Sequence, residues 1–230
     1  AHRNMGRRAW GYIASAAAVH FVGATPIVVE CGRDHLIDVE CAKRAITSRT
    51  KAIMPVQLNG RTANMDSVVA VAREFGLKIV EDAAQGLGSK FKGRFAGSFG
   101  NVGTFSFYPA KVLGCFGDGG AIVSNDDTVG AQIALLRDHG RDSSGEVVAW
   151  GTNSRLDNVQ AAVLNFKFKT FNRALDRRRA IARRYQSGLG DLQELLLPPA
   201  PDIDPDHHDI FQNYEIEADR RNELKIHLEE

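Results

Sequence analysis

Asp82 and Lys111 are two side chains whose surroundings suit them to work as a pair. Asp82 follows the apolar run Leu77-Lys78-Ile79-Val80-Glu81, which reads as a strand. In open parallel sheets, ligands bind beyond the carboxyl ends of such strands. Taken alone, an aspartate there also reads as a helix N-cap or a turn residue. Lys111 follows Phe105-Ser106-Phe107-Tyr108-Pro109-Ala110 and leads to Gly117-Asp118-Gly119-Gly120. Among aromatics and glycine turns, desolvation can leave a lysine unprotonated. Attack on a carbonyl, as by a Schiff-base lysine, requires that form. Taken alone, the same lysine reads as a surface residue beside a turn. Asp82, Gln85, Ser106 and Lys111 together have a specific use. Pyridoxal phosphate needs an amine for its aldehyde, a carboxylate for its ring nitrogen and donors for its phosphate. A carboxylate that keeps the ring nitrogen protonated lets the ring accept the electrons left when Cα loses a proton.

Around these residues the first two-thirds of the chain alternates strands and helices. Residues 26–30 (PIVVE), 51–56 (KAIMPV) and 77–81 (LKIVE) read as strands. Asp38 caps a predicted helix running to about Thr47, with Val39, Ala42 and Ile46 on one face. Met65, Val68, Val69, Ala72 and Phe75 recur at helical spacing, and Gly76 stops that helix. This order predicts a parallel sheet with right-handed crossovers. Two short apolar runs, residues 102–107 and 121–124, follow in a glycine-rich region, and then a helix over about 128–139. Residues 156–189 carry one long helical pattern through Leu156, Val159, Val163, Phe166, Leu175, Ile181, Ala182 and Tyr185. A Pro/Asp linker (198–205), a weak strand (210–216) and a short charged helix close the chain.

The composition narrows the function classes. Hydrophobic residues are 43% and charged residues 25% of the 230, as in an ordinary globular protein. No apolar run approaches the roughly 18 residues that span a bilayer. The start, Ala1 to Arg8, has basic residues, but Trp10, Gly11, Tyr12 and His20 break the Ala-rich stretch behind it, unlike a signal peptide. A net charge of +1 gives no reason to expect nucleic acid or an anionic membrane as partner. Three cysteines without a CxxC pair fit a reducing cytoplasm rather than a disulfide framework or a zinc site. The arginines between Arg173 and Arg184 read as a solvated helix face. His207 and His208 are adjacent in the linker and lack the spacing of a helical metal pair, so no metal is expected. Residues 97–103 lack the Gly-Lys-Ser/Thr of a P-loop, and no GxGxxG follows the first strand, which disfavours a dinucleotide oxidoreductase.

The sequence resembles the DegT/DnrJ/EryC1/StrS sugar aminotransferases, which are fold-type I pyridoxal-phosphate enzymes. The resemblance runs from about Trp10 to the end. It rests on Gly23-Ala24-Thr25-Pro26, Lys51-Ala52-Ile53 with Pro55, Gly60 with Met65-Asp66, and Glu81-Asp82-Ala83-Ala84-Gln85. It continues through Gly97-Ser98-Phe99-Gly100, residues 105–111, residues 117–123, Asn153-Ser154-Arg155-Leu156-Asp157 and Gln160-Ala161-Ala162. The resemblance implies a three-layer α/β/α large domain (1–155), a connecting helix (156–190) and an incomplete small C-terminal domain (191–230). It implies that Lys111 captures the cofactor aldehyde and shuttles the substrate proton, and that Asp82 pairs with the ring nitrogen. Gln85 would lie beside the ring, Ser106 would bond the phosphate, and Tyr12 would stack on the ring. Asn153 would reach the neighbouring subunit's phosphate site, giving a homodimer with shared active sites. The implied substrates are a nucleotide-linked keto sugar and an amino donor, glutamate or glutamine, in the cytoplasm. Asn59 and Asn64 stand where the family commonly has Tyr and Asp. Segments that family members carry at both ends are missing here, so a second reading is a truncated, non-catalytic homologue kept as a dimerisation or regulatory module.

Overall fold

Parallel pairing, expected from the alternation of strands and helices, organises the molecule. The computed structural model describes residues 12–229. The opening segment, expected not to be a signal peptide, lies outside that range. In chain order, helices α1 (Ile13–Phe21) and α2 (Val39–Ala45) precede β1 (Ala52–Ile53), α3 (Met65–Glu74) and β2 (Lys78–Asp82). Next come β3 (Lys90–Phe91), β4 (Arg94–Phe95), β5 (Val102–Ser106), β6 (Gly120–Val123) and α4 (Asp127–Leu136). The chain ends with α5 (Asn158–Phe168), α6 (Phe171–Leu189), β7 (Leu195–Leu196), β8 (His207–His208), β9 (Glu217–Ala218) and α7 (Arg221–Glu229).

The central sheet has the order β1-β2-β5-β6. β1, β2 and β5 are parallel, with Ala52 opposite Lys78 and Asp82 opposite Thr104. β6 returns antiparallel, bringing Gly120 opposite Ser106. β1 is short because Pro55 has no N–H for a ladder. Pairing resumes beyond it, where the Asp82 N–H donates to the Pro55 carbonyl (3.0 Å) and the Gln57 N–H to the Asp82 carbonyl (2.9 Å). The backbone of Asp82 is therefore held from both sides at the end of β2.

Helix α3 covers one face of this sheet. Asn64 caps it by accepting from the Ser67 N–H, and Met65, Val68 and Ala72 pack into the core with Ile53, Ile79 and Phe91. Each such side chain, fully buried, contributes roughly 1.5–3 kcal/mol. A second apolar cluster joins Leu113 and Cys115, beyond Lys111, to Leu164, Phe171, Leu175 and Ile210.

Several expectations need correction. Residues 26–30 form no strand: Ile27 and Val28 are exposed, and the only nearby pairing is a bridge between Cys31 and Ile37. β-branched composition makes a strand only where a ladder partner exists. The helical run over 156–189 is two helices, broken at Lys169 and Thr170. Thr170 leaves helical geometry (φ −116°, ψ 12°) and turns its hydroxyl to the Lys167 carbonyl, while Phe168 and Phe171 stack across the break. Residues 210–216 are not a strand, whereas His207 and His208 inside the expected linker pair with β3. The arginine stretch is not wholly solvated. Arg179 is buried, bonded to the Asp209 carbonyl and ion-paired with Asp202, and Arg178 holds the Phe211 and Gln212 carbonyls.

Large apolar side chains stand on the outer surface. Phe116 is 80% exposed, and its N–H is held by Gln160 of α5 beside exposed Val159 and, two turns on, Phe166. Trp150 is 99% exposed. Apolar surface of this extent drives association. Sedimentation of this chain across the micromolar range is expected to show self-associated species; a well-behaved monomer throughout would contradict this.

Candidate active site

At the carboxyl end of β2 the Asp82 side chain turns outward and both its oxygens are bonded. Oδ2 accepts from the Ser15 hydroxyl of α1 (2.5 Å), and Oδ1 accepts from the Ala84 N–H (3.1 Å). A carboxylate has about four acceptor positions, so room is left for a further donor. Lys111 lies in the turn after β5, its N–H donating to the Tyr108 carbonyl at 2.8 Å. The side chain is half-buried. Burial pushes its ammonium below the ordinary lysine range, and the nearby Asp82 carboxylate opposes that shift in part. The Asp82 charge is thus felt at Lys111, although no hydrogen bond joins the two residues.

The other expected residues divide by position. Gln85 lies in the turn directly after Asp82, and its Oε1 accepts from the Asn59 N–H at 2.7 Å. Asn59 sits in the left-handed region (φ 57°), which few residues other than glycine adopt without local hydrogen bonds. Its side chain also donates to Glu215 (2.7 Å) and accepts from Asn213 (3.1 Å). Ser106 ends β5, on the strand beside β2, and its Oγ accepts from the Tyr108 N–H at 3.3 Å, leaving the hydroxyl proton to donate. Tyr12 stands immediately before α1, with its ring exposed, one turn from the Ser15 that holds Asp82. Asn153 is not brought to this group. It lies exposed on the segment before α5, accepting from the Arg155 Nε at 3.1 Å.

Glu81, next to Asp82 and pointing to the opposite side of the strand, is fully buried and went unread as a functional position. Its carboxylate accepts four hydrogen bonds, from Gln57 Nε2 (2.9 Å) and the backbone N–H groups of Gly97 (2.8 Å), Phe99 (2.6 Å) and Gly100 (2.7 Å). The loop that resembles a phosphate cradle in the sequence is therefore a cradle for the protein's own carboxylate. Gly97 makes this possible: it adopts φ +80°, and a Cβ there would meet the Phe105 ring at 2.6 Å. Alternation along β2 was the available signal, because it places Glu81 inward when Asp82 faces out. Ser15, 67 positions from Asp82, had no comparable signal. Among the described residues no cluster of three or more His, Cys, Asp or Glu side chains is arranged to hold a metal ion. No described helix is long and apolar enough to cross a membrane.

These residues fit pyridoxal phosphate at both ends of its ring. Asp82 is backbone-locked with acceptor capacity left, and Lys111 is an amine whose ammonium burial pushes below the ordinary lysine range. A hydroxyl donor, Ser106, ends the neighbouring strand β5.

Comparison with known proteins identifies the family. The family model described as the DegT/DnrJ/EryC1/StrS aminotransferase family matches residues 8–230. A Streptomyces venezuelae dTDP-3-amino-3,4,6-trideoxy-alpha-D-glucose transaminase is 44% identical over 95% of this chain and 57% of its own length. A Geobacillus stearothermophilus protein named pleiotropic regulatory protein is 37% identical over 96% of this chain and 60% of its own length. The crystal structure of S. venezuelae DesV in complex with a ketimine intermediate superposes at a TM-score of 0.90, with 42% identity, covering 96% of this chain and 59% of that one. A DegT DnrJ EryC1 StrS aminotransferase from Brucella abortus superposes equally well, at 0.90 and 37% identity, over 96% and 61%. The chain thus spans about three-fifths of the relatives it matches, and the expected α/β fold class of pyridoxal-phosphate-dependent aminotransferases holds.

Proposed function

The chain belongs to the DegT/DnrJ/EryC1/StrS aminotransferase family, and from that premise we propose that it serves as a pyridoxal-phosphate aminotransferase. Its substrate would be a nucleotide-linked keto sugar, converted to an amino sugar with glutamate or glutamine as donor. The observation that carries this reading is Lys111, a half-buried amine pushed toward its neutral form, beside a carboxylate fixed at a strand end. Pyridoxal phosphate, when bound, supplies an aldehyde and a ring that accepts electrons.

The remaining steps belong to the protein. Lys111 would hold the cofactor through its Nζ, and as a neutral amine it would be placed to take up and return a proton at the substrate Cα. Asp82 would keep the ring nitrogen protonated, its carboxylate held in place by Ser15 and Ala84. Gln85, fixed through Asn59, would lie beside the ring. Ser106 would donate to the phosphate, and Tyr12 would stack on the ring face. Asn153, exposed on its loop, would serve a second subunit, which makes the working unit a homodimer with shared sites. A cytoplasmic setting goes with this substrate chemistry. A regulatory reading has one observation in its favour, the name of the Geobacillus relative.

Covalent trapping separates the two readings. Incubation with pyridoxal phosphate followed by borohydride is expected to yellow the protein before reduction and to add the cofactor mass to the peptide bearing Lys111. Because burial lowers the Lys111 value, capture is expected to persist at a pH where ordinary lysines are protonated. Asp82→Asn removes the charge that opposes this shift, so its capture profile moves to still lower pH. Colourless protein with no adduct would favour the regulatory module.

A further inference from the structure

The turn that carries Lys111 is fastened by a side chain one hundred positions away. Gln212 Oε1 accepts from the Val112 N–H at 2.9 Å, and Gln212 Nε2 donates to the Ala110 carbonyl at 3.0 Å. These two groups flank Lys111 on either side. A residue of a parallel strand addresses its partner in this pattern, donating to the carbonyl before it and accepting from the N–H after it. A side-chain amide can imitate that pattern because it holds one donor and one acceptor in a plane. Lys111's own N–H is tied to the Tyr108 carbonyl, so the backbone on both sides of the amine is fixed.

The fastener is itself held. Arg178 of α6 donates to the carbonyls of Phe211 and Gln212, both at 3.1 Å. Phe211 is buried in the left-handed region (φ 51°), a conformation that costs on the order of 1–3 kcal/mol and persists only when its surroundings enforce it. The chain there runs so close to Gly60 that a Cβ on Gly60 would come within 2.8 Å of the Gln212 nitrogen. Strain, a close backbone approach and a bidentate side chain thus converge on the two peptide groups beside the amine.

We propose that Gln212 is a positioning residue for Lys111, latching the turn so that the amine is presented toward Asp82. This inference rests on reading Lys111 as the cofactor lysine. The test compares the full chain with Gln212→Ala and with Gln186→Ala, which loses a comparable side-chain bond to the Pro198 carbonyl far from the turn. Three quantities are measured: amide exchange at Val112, the rate of pyridoxal phosphate capture at Lys111, and the visible circular dichroism per trapped cofactor. Gln212→Ala is expected to speed Val112 exchange and to slow capture about tenfold, the size of effect a small misplacement produces. Its circular dichroism per cofactor should fall, because the ring no longer sits in one orientation. Gln186→Ala should match the wild type in all three. Val112 exchange, capture and dichroism equal in the two variants would overturn the proposal. A wild-type chain that captures no cofactor would refute the reading of Lys111 instead, and the latch would then stand or fall on Val112 exchange alone.

Discussion

Lys111→Ala is expected to abolish amino transfer, with turnover falling by on the order of 10⁴ or more, while the chain still folds. The size of the loss follows from the double role of the amine. In the proposed mechanism it captures the cofactor and also carries the proton whose removal from Cα is the difficult step. Folding should survive because Lys111 makes no ion pair within 4 Å among the described residues and is only half-buried. The pH dependence of stability gives a separate check. Its native value is lowered by burial, so between that value and the ordinary lysine range the unfolded chain holds more protons than the native one. Native wild type is therefore penalised at neutral pH and gains stability relative to Lys111→Ala as pH rises through that interval. Urea melts at several pH values would show the gap shifting in that direction. Wild-type turnover by the variant would remove Lys111 from the mechanism.

Asp82 and Lys111 were legible as candidates because Asp82 ends one apolar strand and Lys111 lies in the turn after another, and position near a strand end is local information. The same holds for Gln85 and Ser106, within a few residues of those ends. What could not be read is set by contacts between distant segments. Ser15 reaches Asp82 across 67 positions, and Gln212 reaches Ala110 across 102. Neither residue type announces a partner. Periodicity also misled where it counts only apolar residues. Arg179 is buried because Asp202 and the Asp209 carbonyl receive its guanidinium, and no hydrophobic pattern can register that. Residues 26–30 have the composition of a strand, yet composition cannot supply the neighbouring strand a ladder requires. The helix break at Thr170 depends on a hydroxyl turning back to the Lys167 carbonyl, one of several geometries open to any threonine.

Glu81→Ala is expected to destabilise the protein more than any change at the site itself. Removal of the carboxylate leaves Gln57 Nε2 and the N–H groups of Gly97, Phe99 and Gly100 without their acceptor. An unpartnered buried donor costs roughly 1–3 kcal/mol, so four of them cost at least about 4 kcal/mol. That is a large part of the roughly 5–15 kcal/mol that holds a typical domain together. Glu81→Gln separates charge from shape. It keeps the size of the side chain, but its amide NH₂ must point at one group of backbone donors, so an intermediate loss is expected. The damage should reach the site, because the loop that Glu81 holds packs directly on β5. A Cβ at Gly103 would come within 2.2 Å of the Gly97 carbonyl, so no slack exists between them. β5 ends in Ser106, and Asp82 is the next residue along β2 from Glu81. Cofactor capture by Glu81→Gln should therefore weaken along with the denaturant midpoint, and Phe99 and Gly100 should lose amide protection first. An unchanged midpoint in Glu81→Ala would show that water takes over the four donors, and that the buried carboxylate is not what fixes the loop.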